Sequence, residues 1–243
     1  QVLEERGIKF KRVAGTSAGA ILATFIAAGF NAKELEEIFD ELDLTTLLDP
    51  PKIIVNIPFL KWLNLYKRNG LYRGKLLEKW FQQKLAKKGI YCFGDLPKGA
   101  LKLVASDLTN GKILVLPDDL KNYGIDCERF PISRALRMSC GLPFFFEPVY
   151  LKNSNHDCVV VDGGVLSNFP LWIYDSGHKM RPVLGMKLSS SSDEMPPREI
   201  DNALQLFEAL FSTMQNAHDK RYIDRKHEKN IITSCVYLCI NCV

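Results

Sequence analysis

Residues 10–30 read FKRVAGTSAGAILATFIAAGF. A short β-prone run, Phe10 to Ala14, passes into Gly15-Thr16-Ser17-Ala18-Gly19, and then into a helix-length stretch of small and apolar residues ending at Gly29. That succession predicts a strand, a tight turn and a buried helix closed by glycine, which accepts the left-handed conformation common at helix C-termini. In a GxSxG turn the backbone doubles back sharply, so the neighbours of the serine must be small and its hydroxyl stands clear. The N-terminus of the helix that follows offers the Ala18 backbone N–H and a positive dipole end to an oxyanion developing on an attacked carbonyl. The stretch points to an α/β fold and marks Ser17 as a candidate nucleophile. The competing reading is a Gly-rich turn that merely packs a helix on a strand.

Upstream, QVLEERG reads as the latter part of a helix with Gly7 at its end, and the chain is expected to continue before it. Downstream, Asn31 caps a helix through AKELEEIFDELD. Residues 50–74, PPKIIVNIPFLKWLNLYKRNGLYRG, hold no steady period and read as a mobile excursion or lid. Within it Trp62, Leu63, Leu65, Tyr66, Lys67 and Arg68 suit an interfacial element facing lipid headgroups, with an amphipathic cover over the core as the plainer alternative. Helix returns at KLLEKWFQQKLAKKG, and LKLVASDLTNGKILVLP is two β runs around the hairpin signal Thr109, Asn110 and Gly111.

A short helix from Ile132 to Met138 leads into SCGLPFFFEPVY, and CVVVDGG is a buried strand ending on an acid and two glycines. PVLGMKL reads as a core strand and SSSSDEMPPRE as a solvated loop. Asp201 to about Lys229 reads as a long helix with apolar positions at Leu204, Phe207, Leu210, Phe211 and Met214. Alternating strand-like and helix-like segments call for helices on a largely parallel sheet, in one domain over residues 1–243.

Composition narrows the function classes. Hydrophobic residues make up 47% and charged residues 25% of the 243, which is globular rather than disordered. A net charge of +4, from 32 basic and 28 acidic residues, gives no general field for nucleic acid. Cys92, Cys127, Cys140, Cys158, Cys235, Cys239 and Cys242 are odd in number and irregular in spacing, which suits a reducing cytoplasm. The C-x₃-C-x₂-C run at Cys235, Cys239 and Cys242 is read as an apolar strand or tail rather than a cluster motif, and Asp118-Asp119 as a solvated turn rather than a calcium site. No metal or cofactor is expected. The longest apolar run, Ala18 to Gly29, is shorter than the roughly 20 residues of a spanning helix, so any membrane contact is expected to be peripheral.

Asp162-Gly163-Gly164, closing the CVVV run, is what an acid held at the carboxyl edge of an α/β sheet requires, although an Asp-Gly turn alone is common. None of His156, His178, His218 and His227 follows a strand as a triad base would, and all four read as surface residues.

Gly15 to Gly19, SCGLPFFFEPV from Ser139 to Val149, and DGGVLSNFP from Asp162 to Pro170 together resemble the patatin-like phospholipases in their bacterial form, in order along the chain to about Asn230. The resemblance implies a three-layer α/β/α fold with a mostly parallel central sheet, acting on acyl esters of phospholipids, lysophospholipids or neutral lipids. It implies Ser17 as nucleophile and Asp162 as its base, supported by Gly15, Gly19, Gly163 and Gly164, with neither histidine nor metal. It also implies a glycine-rich oxyanion loop ahead of LEERG, so this chain is expected to lack that loop and its strand, to be weakly active or silent, and to carry an atypical tail over 231–243. Two alternatives stand beside it, a silent remnant serving as a binding module and an esterase with a histidine base.

Overall fold

The computed structural model describes residues 1–49, 68–152, 156–174, 183–189, 200–201, 205–206, 209–210, 212–213 and 231–235. Helix α1, Val2–Glu5, ends at Gly7, which adopts φ +69°. Strand β1, Val13–Thr16, begins three residues later than the apolar pattern suggests, because Phe10 to Arg12 stay exposed. Helix α2, Ala18–Ala27, buries Ala20, Ala23, Thr24 and Phe25 and closes at Gly29 with φ +83°. The expected all-round burial is corrected to one buried face: Ala18 and Gly19 are exposed. Helix α3, Ala32–Asp40, starts with a capping box, in which the Asn31 side chain accepts the Glu34 N–H at 2.9 Å and Glu34 accepts the Asn31 N–H at 2.9 Å.

After β2, Gly70–Tyr72, helix α4 runs Lys75–Ala86. Its first amides are capped from a distance, since the Asp49 carboxylate accepts the N–H groups of Gly74, Lys75 and Leu76. Leu77, Phe81 and Leu85, spaced by four, put one stripe into the core. Strands β3, Leu101–Asp107, and β4, Lys112–Leu116, form the expected hairpin, with Gly111 at φ +61°. Helix α5, Ile132–Ser139, precedes β5, Phe144–Phe146, β6, Val149–Lys152, and β7, Asp157–Asp162.

Two-residue alternation carries Leu101, Leu103 and Ala105 of β3 into the core, and α2 and α5 pack against these strands and each other. Parallel ladders join β1 to β3 and β2 to β5, each across intervening helices. The β3–β4 and β6–β7 ladders are antiparallel because hairpin turns return the chain directly; β3–β7 is antiparallel as well, although β4, α5, β5 and β6 lie between its two strands. Among the described residues, three of the four ladders in the five-stranded sheet are antiparallel.

The register of β3 decides where the strand ends meet. β4 occupies one edge of β3 over Leu103 to Asp107. β1 pairs with Leu101 to Val104 and β7 with Ala105 to Asp107, so both must lie on the opposite edge, one after the other. They run in opposite directions and meet end to end between Val104 and Ala105.

The chain divides into two compact units, Gln1–Asn168 and Phe169–Val243. In the second, β8, Gly185–Ser189, pairs in parallel with β9, Ile231–Cys235. Residues 205–206, 209–210 and 212–213 are helical; the rest of the helix expected after Asp201 lies outside the described residues. Among the described residues no helix is long and apolar enough to cross a membrane.

Candidate active site

The two glycine motifs of the sequence occupy the meeting strand ends. Thr16, last in β1, is level with Val104, and Asp162, last in β7, is level with Ala105. Across that junction the Ser17 hydroxyl donates to Asp162 Oδ2 at 2.7 Å. Asp162 sits at the carboxyl end of its strand, as the pattern predicts for an acid at the carboxyl edge of the sheet; β7 is antiparallel to β3, so Ser17 and Asp162 converge from opposite directions.

Ser17 adopts φ 53° and ψ −125°, a region L-residues avoid and a cost of about 1–3 kcal/mol. Its carbonyl accepts the N–H of Ala20 at 2.8 Å and of Ile21 at 3.3 Å, so the strained residue is also the first acceptor of α2. A Cβ on Gly15 would overlap the Gly19 carbonyl, which explains the glycine before the serine. A Cβ on Gly19 would meet nothing, so the expectation that both flanking residues must be small holds only for Gly15 among the described contacts. Ala18 and Gly19 are exposed at the start of α2, where helix amides have no intrahelical acceptor.

Asp162 is 2% exposed. Its Oδ1 accepts the Gly164 N–H at 2.7 Å, and its own N–H donates to the Gly141 carbonyl at 3.0 Å. A Cβ on Gly163 would strike the Val104 carbonyl, so this glycine lets the chain turn against β3. Burial pushes the Asp162 carboxyl up to about 6, and the hydrogen bonds from Ser17 and Gly164 offset only part of that. The result is a carboxylate at neutral pH that is a far better proton acceptor than an ordinary aspartate, in contact with a serine hydroxyl.

A family model for patatin-like phospholipases matches residues 1–174. The chain belongs to the patatin-like phospholipase family. This is a family of lipid hydrolases with a three-layer α/β/α fold. The uncharacterized protein YqhO of Bacillus subtilis (strain 168) is 52% identical to this patatin-like chain over 232 residues, covering 96% of this chain and 79% of that protein. An uncharacterized protein of Acanthamoeba polyphaga mimivirus is 24% identical over 168 residues, covering 68% of this chain and 50% of that protein.

Other residues of the patatin-like chain join the site without having been assigned a role from sequence. Ser139, buried at the last position of α5, accepts the Ser17 N–H at 3.2 Å and donates to the Val104 carbonyl at 2.6 Å. The Cys140 thiol donates to the Ser17 carbonyl at 3.3 Å. Both lie in the stretch that carries the family resemblance, but more than 120 positions separate them from Ser17. Thr16, buried beside Gly15, donates to the Ser167 carbonyl at 3.1 Å and ties the two motifs together behind the Ser17–Asp162 hydrogen bond.

His156 is exposed at the start of β7, the end remote from Asp162. His178, His218 and His227 lie outside the described residues, as do Trp62 to Lys67 of the expected interfacial element and Cys239 and Cys242 of the tail. Arg68, the described end of that element, pairs with Glu147 at 3.3 Å. The Asp118-Asp119 pair is engaged structurally, Asp118 with Lys102 at 2.8 Å and Asp119 with the Val115 N–H at 2.7 Å.

Proposed function

We propose that this chain hydrolyses acyl esters of lipids, phospholipids or lysophospholipids among them, with Ser17 as nucleophile and Asp162 as general base. The observation that carries the proposal is the 2.7 Å hydrogen bond from the Ser17 hydroxyl to a buried carboxylate whose proton affinity burial has raised. Ser17 Oγ attacks the ester carbonyl carbon while Asp162 takes the hydroxyl proton, and the carbonyl π electrons move onto oxygen. The exposed N-terminus of α2, with the Ala18 N–H, is the described group best suited to that oxyanion. As the tetrahedral species collapses, the C–O bond to the leaving alcohol breaks and Asp162 returns the proton to it, leaving acyl-Ser17. Water, deprotonated by the same carboxylate, then attacks the acyl carbon; the bond from that carbon to Ser17 Oγ breaks, Asp162 returns the proton to Oγ, and the fatty acid leaves. A carboxylate in its ordinary range would be a weak partner for a serine; one near 6 is still ionised at neutral pH and loses less in accepting the proton.

Covalent labelling by a fluorophosphonate ester, with mass spectrometry of the tagged peptide, tests this. Label is expected on Ser17, at a rate that climbs as pH rises through about 6, and is expected to vanish in Ser17→Ala and fall sharply in Asp162→Asn. A folded, unaltered chain that takes no label would sink the hydrolase reading and favour a silent member of the family acting as a binding module.

A further inference from the structure

We infer that Ser139 and Cys140, at the C-terminal end of α5, form a clamp on the backbone of Ser17 that positions its hydroxyl against Asp162; the inference rests on the dyad reading above. Ser17 occupies a conformation that the chain does not adopt unless its surroundings enforce it. The two peptide groups that define that conformation are both held from α5. The Ser139 hydroxyl accepts the Ser17 N–H and passes its own hydrogen to the Val104 carbonyl, so the turn is tied to the strand whose edge also receives β7. The Cys140 thiol donates to the Ser17 carbonyl. Burial and the neighbouring Asp162 charge push that thiol well above the usual range, which keeps its proton in place for donation.

The next residue completes the arrangement from the other side. The Gly141 carbonyl accepts the Asp162 N–H at 3.0 Å, so three consecutive residues touch both halves of the dyad. The turn itself is braced from beneath by Arg137, 2% exposed, which donates to the carbonyls of Arg73 and Glu147. A Cβ on Gly141 would come within 2.9 Å of the Arg137 guanidinium, so the glycine lets the turn settle directly on it.

Ser139 and Cys140 touch only the backbone of Ser17 in these contacts and are positioning residues, not catalytic ones. Their removal should slow the chemical step and leave ester binding alone. Misplacement of a reacting group by about 1 Å costs up to about 100-fold, so Ser139→Ala is expected to lower kcat by about 10–100-fold with little change in KM. Cys140→Ala is expected to lower it less, because Ala20 and Ile21 also hold the Ser17 carbonyl.

The test is hydrolysis of p-nitrophenyl butyrate by the full chain, with active sites counted by fluorophosphonate so that unfolded molecules do not enter the rate. Lower kcat per counted site, unchanged KM and an unchanged pH midpoint support the clamp, because a purely structural role would reduce the number of sites and leave each one at full rate. Unaltered kcat per site in Ser139→Ala overturns it. Should Ser139→Ala give no cooperative melt, Cys140→Ala decides in its place, and full kcat per site there overturns the clamp as well. An unaltered folded chain without label removes the dyad and the clamp together, whereas a labelled chain with fast variants removes the clamp alone.

Discussion

Two aspartates end neighbouring strands of the same sheet, and both are shut away from water: Asp107 at the end of β3 is 0% exposed and Asp162 at the end of β7 is 2% exposed. Asp107 is followed by Leu-Thr-Asn-Gly and accepts the Tyr123 hydroxyl at 2.6 Å, the Asn110 side-chain amide at 2.6 Å and the Asn110 N–H at 3.1 Å. Asp162 is followed by two glycines, which bring no side-chain donors; a backbone N–H and the Ser17 hydroxyl serve it instead. Burial pushes both carboxyls upward, and Asp162 lies deeper in the protein interior than Asp107. At Asp107 the hydrogen bonds and the Lys112 charge outweigh burial and hold the group below the ordinary range; at Asp162 burial wins. Depth and donors together set the difference: fewer donors around a deeper carboxylate leave Asp162 with the raised proton affinity that the proposed base needs, while Asp107 is held charged as an anchor.

Activity gives the sharpest way to break that distinction. Asp162→Asn is expected to lower kcat/KM by about 10⁴-fold, the scale seen when one member of a catalytic unit is removed, while Asp107→Asn leaves it close to the unaltered value. Equal losses at the two positions would show that depth and donors do not sort the two roles. Stability should invert the order. Asp107→Ala strands the buried Tyr123 hydroxyl and the Asn110 amide, and urea unfolding should show a loss of about 3–4 kcal/mol.

The pH dependence follows with the opposite sign at each site. The Asp162 carboxyl binds its proton more tightly folded than unfolded, so its favourable contribution is full below the unfolded value of about 4 and is lost as pH rises through about 6. Asp162→Asn, uncharged throughout, should therefore be more stable than the unaltered chain at pH 8 by about 3 kcal/mol, with the gap closing near pH 4. Asp107 contributes stability above its unfolded value and loses it as pH falls through its lowered folded value, so the deficit of Asp107→Asn should shrink in acid. Thermal melts of both variants across pH check the two slopes.

The smallest effect separates the glycines around Ser17. Gly19→Ala meets open space in a helix and should shift stability by less than about 0.5 kcal/mol, whereas Gly15→Ala drives a methyl into the Gly19 carbonyl and should abolish labelling of Ser17.

The local features of this fold were open to reading because short-range chemistry writes them. The Asn31 cap, the hairpin at Thr109 to Gly111 and the GxSxG turn each depend on residues within a few positions of one another. Pairing sense was not open to the same reading. That β7 runs against β3 depends on which edge remains after β4 and β1 have docked, and strand composition does not encode that choice. Ser139 and Asp107 escaped notice for the same reason. Each is an ordinary polar residue next to an apolar run, and its meaning comes from Ser17 and Tyr123, which the folded chain, and not the local pattern, brings to it.

The end-to-end meeting of β1 and β7 also has a temporal side. Synthesis proceeds from the N-terminus, and Asp162 is added 145 residues after Ser17. A nascent chain can lay β1 against β3 while the rest of that edge stands vacant, but Ser139 and Cys140, which hold the Ser17 backbone, come only shortly before the carboxylate. The bond between Ser17 and Asp162 closes only when β7 fills the vacant half-edge. No piece of the chain that stops before Asp162 carries it, and whatever chemistry it confers switches on at a single step of assembly instead of growing with length.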